Sequence, residues 1–268
     1  MDRIVIQNEL KSIAANYMPV NCRQYKWFIC NNQPGKTMFG TKRDLKPFEG
    51  KVVHLSEVAI YAKVKRSEFC AVDVQLVTMV PSIGDTVRVT PYARRHFDGA
   101  RIDAPKVETH TLPDGTTYQS QIVPIGHVRT ELPVSHEEYA CYELNQMIEQ
   151  LECLPAPDGF RSISQMLYDA GAKDFQVMDS SPENIIKIPP RIRFSVDNRK
   201  HCGQVDVIYD RGMDTYRIEL LCGESVVESI SDVYFDDLGS ILGQLVDDGS
   251  WNRIGIEILA PAKSCKRY

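Results

Sequence analysis

Motifs of catalysis and metal binding are missing from this chain. It has no C-x-x-C pair, no H-E-x-x-H, no G-x-S-x-G and no G-x-G-x-x-G. Their absence removes the usual sequence routes to zinc coordination, metalloprotease chemistry, serine hydrolysis and dinucleotide binding. A triad assembled only in space leaves no such trace, because it is recognised by geometry and not by order. HEEYA at 136–140 lacks the second histidine of a zinc-protease helix. The six histidines, at 54, 96, 110, 127, 136 and 201, show no i,i+4 pairing, and His201-Cys202 reads as a turn. No cofactor is implied.

Long apolar runs are missing as well. No stretch approaches the roughly 18 to 20 residues that span a bilayer, so no membrane partner is expected. The opening MDRIVIQNEL has neither the basic start nor the apolar stretch of a signal peptide. Cytoplasmic localisation is expected, with the eight scattered cysteines (22, 30, 70, 141, 153, 202, 222 and 265) reduced. Cys70 and Cys222 lie in apolar runs and read as core residues.

What is present is an ordinary globular composition in 268 residues, 43% hydrophobic and 25% charged, long enough for two modest domains. The charge is unevenly spread. Residues 1–132 hold 18 Lys/Arg against 13 Asp/Glu, net +5, and residues 133–268 hold 13 against 23, net −10. A basic region favours polyanions, and an acidic one favours basic partners.

The pattern along the chain predicts an α+β fold: an N-terminal antiparallel β-sheet or small barrel, a helical linker, and a C-terminal antiparallel sheet with one packed helix. The first 20 residues read as a short strand at IVIQ followed by a helical turn. QYKWFIC (24–30), EVAIYAKV (57–64), AVDVQLVTMV (71–80) and TVRVTP (86–91) read as strands, from their alternation and β-branched content. Pro113-Asp114-Gly115 inside THTLPDGTTYQSQIV (109–123) predicts a protruding hairpin.

Ser135 and Glu138 fit a capping box ahead of Leu144, Met147, Ile148 and Leu151 at helical spacing. A second helix carries Ile163, Met166, Leu167 and Ala170 and ends at Gly171. Strands are expected at 191–197, 204–210, 215–221, 225–230 and 253–259. A helix carrying Leu238, Ile241, Leu242 and Leu245 precedes the last, with Asp236 and Asp237 in its first turn. The domain boundaries expected from these shifts are 1–132, a basic β-rich module; 133–188, a helical connector; and 189–268, an acidic α+β domain.

Gly35-Lys36-Thr37 ends CNNQPGKT like a phosphate-binding loop, but the required first glycine is Cys30. Such a loop also needs a helix behind it to aim backbone N–H groups at phosphates. MFGTKRDLKPFEG, with two glycines and a proline, cannot supply one. The stretch reads as a turn. Asp206, Asp210 and Asp214, along a strand and the turn YDRGMD, carry the one candidate for a hard cation, since carboxylate oxygens suit such ions; an exposed hairpin end is the alternative.

Three basic stretches are the clearest positive signal: KRDLKPFEGK (42–51), AKVKR (62–66) and RVTPYARRHFDGAR (88–101). Arginine interleaved with aromatics is what phosphate contact plus base stacking require. The candidate nucleic-acid contacts are Lys42, Arg43, Lys65, Arg66, Arg88, Arg94, Arg95 and Arg101, with Tyr92 and Phe97 as stacking or packing groups. In the acidic half, Asp232, Asp236, Asp237, Asp247 and Asp248 are the candidate contacts for a protein partner.

FEGKVVHLSEVAIYAKV followed by VDVQLVTMVPSIGDTVRVTPY resembles the small β module of plasmid KfrB-type proteins, through Gly50, Pro81, Gly84, Val87, Val89 and Tyr92. The likeness covers roughly residues 48–92, about a sixth of the chain; the C-terminal part departs from it. The rest resembles proteins of plasmids and integrative conjugative elements. The resemblance implies carriage on mobile DNA and supplies no catalytic residue. The leading expectation is a non-enzymatic accessory protein that binds nucleic acid through the basic module and a protein through the acidic domain. The alternatives are an inhibitor of a host defence or DNA-binding protein that does not itself bind DNA, and a metal-dependent hydrolase or nuclease using YDRGMD.

Overall fold

The computed structural model describes residues 1–262 except 20, 23, 37, 39, 123–127 and 136–138. Thr37, Glu138, His127, His136 and Cys265, singled out above, therefore lie outside the described residues, as do Val123 and the start of HEEYA. The architecture is α+β, mostly β. The chain divides into two compact units, Met1–Ala93 with Asn252–Tyr268, and Arg94–Trp251. The boundaries expected at 132/133 and 188/189 both fall inside the second.

The first unit opens with a helix, α1 (Arg3–Tyr17), where a strand and a turn were expected. Asp2 caps it by accepting the Ile4 N–H. Ile6, Leu10, Ile13 and Ala14 recur at helical spacing and are buried, so one whole face packs on Val53, Ala59, Tyr61, Phe69 and Ala71. That burial outweighs the β preference of the Ile-Val-Ile run.

Six strands form the main sheet of this unit: β1 (Lys26–Cys30), β4 (Phe48–Leu55), β5 (Ala59–Lys65), β6 (Glu68–Asp73), β7 (Thr86–Thr90) and the last strand of the chain, β15 (Gly255–Ala260). Their order is β1-β6-β5-β4-β7-β15, an open sheet, antiparallel except for the parallel pair β1–β6. Two short strands, β2 (Gly35–Lys36) and β3 (Lys42–Arg43), pair beside it.

Both faces of the sheet are covered. Period-two alternation sends Tyr61, Phe69 and Ala71 towards α1, and Ile60, Cys70 and Val72 into a second core with Val87, Val89, Ile254 and Ile256. The run 71–80 is a strand only as far as Asp73. Gly84, at φ +98°, turns the chain where an added Cβ would sit 3.0 Å from the Ala262 side chain.

The second unit begins with the expected hairpin, β8 (Lys106–Thr111) and β9 (Thr117–Ile122). Helix α2 (Tyr142–Cys153) buries Leu144, Met147, Ile148 and Leu151, as their spacing predicts. It starts after Cys141, six residues beyond Ser135. Helix α3 (Ile163–Asp169) has its own capping box, Ser162 with Gln165.

Five antiparallel strands follow: β10 (Lys173–Met178), β11 (Arg191–Asp197), β12 (Cys202–Asp210), β13 (Thr215–Cys222) and β14 (Ser225–Val233), paired in sequence order. Helix α4 (Leu238–Val246) closes the unit. One core joins Leu144, Met147, Met166, Phe194, Val207, Ile218 and Leu242. The segment 133–188, expected as a connector, thus contributes α2, α3 and β10 to the same body as the later strands.

Candidate functional site

The ten candidate nucleic-acid contacts do not all share one unit. Lys42, Arg43, Lys65, Arg66, Arg88 and Tyr92 belong to the first; Arg94, Arg95, Phe97 and Arg101 belong to the second. Lys42 and Arg43 form β3 and are exposed, facing Lys36 and Gly35 across the ladder. Lys46 and Lys51, nearby in sequence, are exposed too, as is Arg66 in the turn after β5. Lys65 is exposed and pairs with Glu68 at 2.9 Å, a surface contact that leaves most of its side chain in water.

Arg88 is held differently. It sits mid-β7, opposite Glu49 of β4 on one side and Glu257 of β15 on the other, and meets them at 2.9 and 3.2 Å. The Glu49 hydrogen bond, then the charges of Glu257 and Glu49, raise its pKa. A guanidinium flanked by two carboxylates has its charge matched within the sheet. Tyr92 is half-buried, its N–H donating to Asn32 Oδ1 at 2.9 Å, and lines a narrow hollow with Pro34 and Leu45. Beside that hollow Gly35-Lys36 is strand β2 and Lys42-Arg43 its partner, so among the described residues no helix directly follows the phosphate-loop triplet.

The four residues in the second unit serve its interior and its own loop. Arg94 is 3% exposed and donates to the Phe160 carbonyl at 3.1 Å. Arg95 is exposed and donates to the Gly99 carbonyl at 2.7 Å. Arg101 pairs with Asp103 at 2.8 Å. Phe97 packs edge-on between Tyr168 and Phe175 against the core. Clustering in sequence says nothing about where side chains point, and a guanidinium with five donors readily turns inward to carbonyls and carboxylates.

The acidic candidates divide as well. Asp232, Asp236 and Asp237 are exposed where β14 runs into α4. Helix α4 starts at Leu238, so Asp236 and Asp237 lie at and before its N-cap instead of within its first turn. Asp247 instead receives an Arg161 guanidinium hydrogen bond, and Asp248 pairs with Arg199 at 3.1 Å while accepting the Ser250 N–H.

Strand β14 is the edge of its sheet, with no ladder partner beyond it among the described residues. It exposes Val226 and Val227, and Tyr234 and Phe235 stand 58% and 57% exposed just beyond it. From Ile218 to Asn252 the chain has no Lys, Arg or His but eight acids. The result is a pair of exposed valines at one end of the strand and an exposed aromatic pair beyond the other, set in negative charge. The edge position had no sequence signal; only the Tyr-Phe pair beside three aspartates was legible.

The metal reading does not gather its ligands. Asp206 is 1% exposed and takes hydrogen bonds from Arg191 and Arg193, while Asp210 accepts the Gly212 and Met213 N–H groups and Asp214 accepts the Tyr209 hydroxyl. Among the described residues no three His, Cys, Asp or Glu side chains are grouped to hold a metal. His201 Nε2 lies 3.0 Å from the Gln204 carbonyl, and the neighbouring Cys202 thiol is pushed up by its hydrogen bond to Asp197. Among the described residues no helix is long and apolar enough to cross a membrane.

Grouped by structural unit, the charge separates more sharply than by halves. The first unit holds 17 Lys/Arg against 9 Asp/Glu, net +8, and the second 14 against 27, net −13. No family model, curated protein or solved structure matches this chain.

Proposed function

We propose that this protein is a non-enzymatic accessory factor whose basic unit contacts nucleic acid and whose acidic unit binds a basic protein through the β14 edge. The observation that carries the reading is the charge partition, +8 against −13, along structural units built independently of charge. The contacts to phosphate are assigned to exposed cations of the first unit: Lys42, Arg43, Lys46, Lys51, Lys65 and Arg66. Arg88 is left out because two carboxylates flank it, and Arg94, Arg95 and Arg101 because they belong to the acidic second unit. The likeness of residues 48–92 to plasmid KfrB-type modules suits such a role on a mobile element.

The test is a fluorescence-anisotropy titration of the full chain against single- and double-stranded DNA and RNA across a salt series. Removing one phosphate-neutralising cation should lower the slope of log K against log salt by about 0.7 to 0.9. Lys42/Arg43/Lys46/Arg66→Ala should therefore flatten it by about 3 units, with Arg95→Ala nearly silent. Absence of binding at low salt, or an equal weakening in both variants, would sink the assignment. Binding of a basic protein without any binding of nucleic acid would favour the pure interaction reading, which the exposed Tyr234-Phe235 pair supports.

A further inference from the structure

Within the second unit, helix α2 and the far end of the β12–β13 hairpin enclose a cleft of about 190 Å³. Tyr142, Glu143 and Gln150 line it from the helix, and Tyr209, Asp214 and Tyr216 from the hairpin. Tyr209 and Tyr216 are register partners with rings 5.8 Å apart. Asp214, at φ +55°, adopts the left-handed conformation that aspartate tolerates, and its Oδ1 accepts the Tyr209 hydroxyl at 2.5 Å.

The charge of the cleft is one-sided, while Gln146 and Gln150 add neutral amides that both donate and accept. The Tyr209 hydroxyl donates to Asp214, and the Tyr216 hydroxyl donates to Gln150 Oε1 at 2.6 Å. Each has spent its only proton and keeps lone pairs that accept. Glu143 and Asp214 accept only, and neither Lys nor Arg lines the walls. Burial first, then the bond to Asp214, pushes the Tyr209 phenol up to about 12, so its ring stays neutral at physiological pH. Acceptors, negative charge and aromatic faces together suit a cation with N–H or methyl groups.

Size and ligand count narrow the class. At roughly 30 Å³ per water the space holds about six waters, enough for a small head group. A hard metal ion needs six to eight oxygens in a tight shell, and among the described residues no three carboxylate, His or Cys side chains converge. Outside the lining, Arg211 reaches Glu143 at 3.3 Å with its side chain half exposed. The protein's own guanidinium thus occupies one of the two carboxylates from the solvent side.

We propose that this cleft binds an organic cation, an alkylammonium or guanidinium head group, against Tyr142, Tyr209 and Tyr216 with Asp214 and Glu143 as its counter-charges. The head group competes with Arg211 for Glu143. The cleft lies in the acidic unit, with Tyr216 the ladder partner of Val233 in β14, and its test needs neither nucleic acid nor a protein partner.

The experiment follows backbone and tyrosine-ring NMR shifts of the full chain. The titrants are tetramethylammonium, agmatine and a blocked lysine peptide, with sodium chloride at matched ionic strength as the reference. Expected are saturable shifts centred on 142–150 and 209–216. Asp214→Asn should weaken the affinity about ten-fold. Arg211→Ala should tighten it about three-fold, because it releases Glu143. Saturation by tetramethylammonium or agmatine would identify a free small cation as the ligand, and saturation by the peptide alone would identify a basic side chain; both support the site. Shifts equal to those from sodium chloride, or an Arg211→Ala variant with unchanged or weaker affinity, would overturn it. The Arg211 arm remains decisive even if the Asp214 variant folds poorly, since Arg211 is half exposed.

Discussion

The Arg161 side chain is 1% exposed and donates to Asp158, Asp169 and Asp247, while its central carbon lies 3.8 Å from the centroid of the Trp251 ring. Burial alone would lower its pKa, but the three carboxylates outweigh that and raise it. Removing the cation leaves three carboxylates, none more than 16% exposed, with no counter-charge from Arg161. Arg161→Met should therefore cost about 3 to 5 kcal/mol in a urea denaturation series.

The carboxylates also set an acid limit. Burial would raise Asp158, but hydrogen bonds from Arg161 and Phe160, together with the Arg161 charge, hold it below its ordinary value. Asp248 is held at about 2, first by Ser250 and then by Arg199. Both folded-state values are depressed, so the unfolded chain binds more protons as acid is added. The stability these groups contribute is complete above about pH 4, their unfolded value. It is lost as pH falls through the folded values, which for Asp248 means the window from about 4 to about 2. Thermal melts should show this decline, and Asp158→Asn should shrink it; a flat profile between about pH 5 and about pH 2 would contradict the cluster's role.

Among the elements, α4 shows how packing reverses propensity. Alanine in place of a helical glycine normally stabilises by about 1 kcal/mol. Here a Cβ at Gly239 would fall on the Pro155 carbonyl oxygen, and one at Gly243 would meet Pro157 Cγ at 2.7 Å. Gly239→Ala should destabilise, since the oxygen belongs to backbone that cannot swing away; a rise in melting temperature would show that the loop at 155–157 yields.

Other elements show why local reading succeeded or failed. Strand β11 alternates cleanly, with Ile192, Phe194 and Val196 buried, and its period was legible. Strand β10 was not foreseen. It is a mostly exposed edge strand, and KDFQVM carries little apolar contrast. Helix α1 was misread because three β-branched residues outweighed a helical spacing whose partner surface lies far along the chain, on Val53 to Ala71.

On the scale of the whole chain, the first unit depends on both ends of the sequence. Strand β15 pairs with β7, placing Ile256 beside Val89, and Ile254, fully buried, exchanges backbone hydrogen bonds with Leu76 and Thr78. Read in sequence, 253–259 was the closing strand of the acidic domain. Truncation after Trp251 should strip β7 of a partner and raise hydrogen exchange across β4 and β7, while the strands β11–β13 keep their protection. Ile254→Ala should cost about 2 to 5 kcal/mol as a milder form of the same lesion. Uniform collapse of protection across both units would instead show a single cooperative body.

By itself the sequence determined the α+β class, the hairpin at Pro113-Asp114-Gly115, the helical periods of α2, α3 and α4, and an uneven charge. These follow from short-range rules: side-chain period, turn conformers and composition. Tertiary structure alone decided where β15 goes, which strand is left as an edge, and which arginines remain exposed to solvent. Strand pairing and ion pairing join positions far apart, as Arg88 and Glu257 do across 169 residues, and no local pattern encodes a partner at that distance.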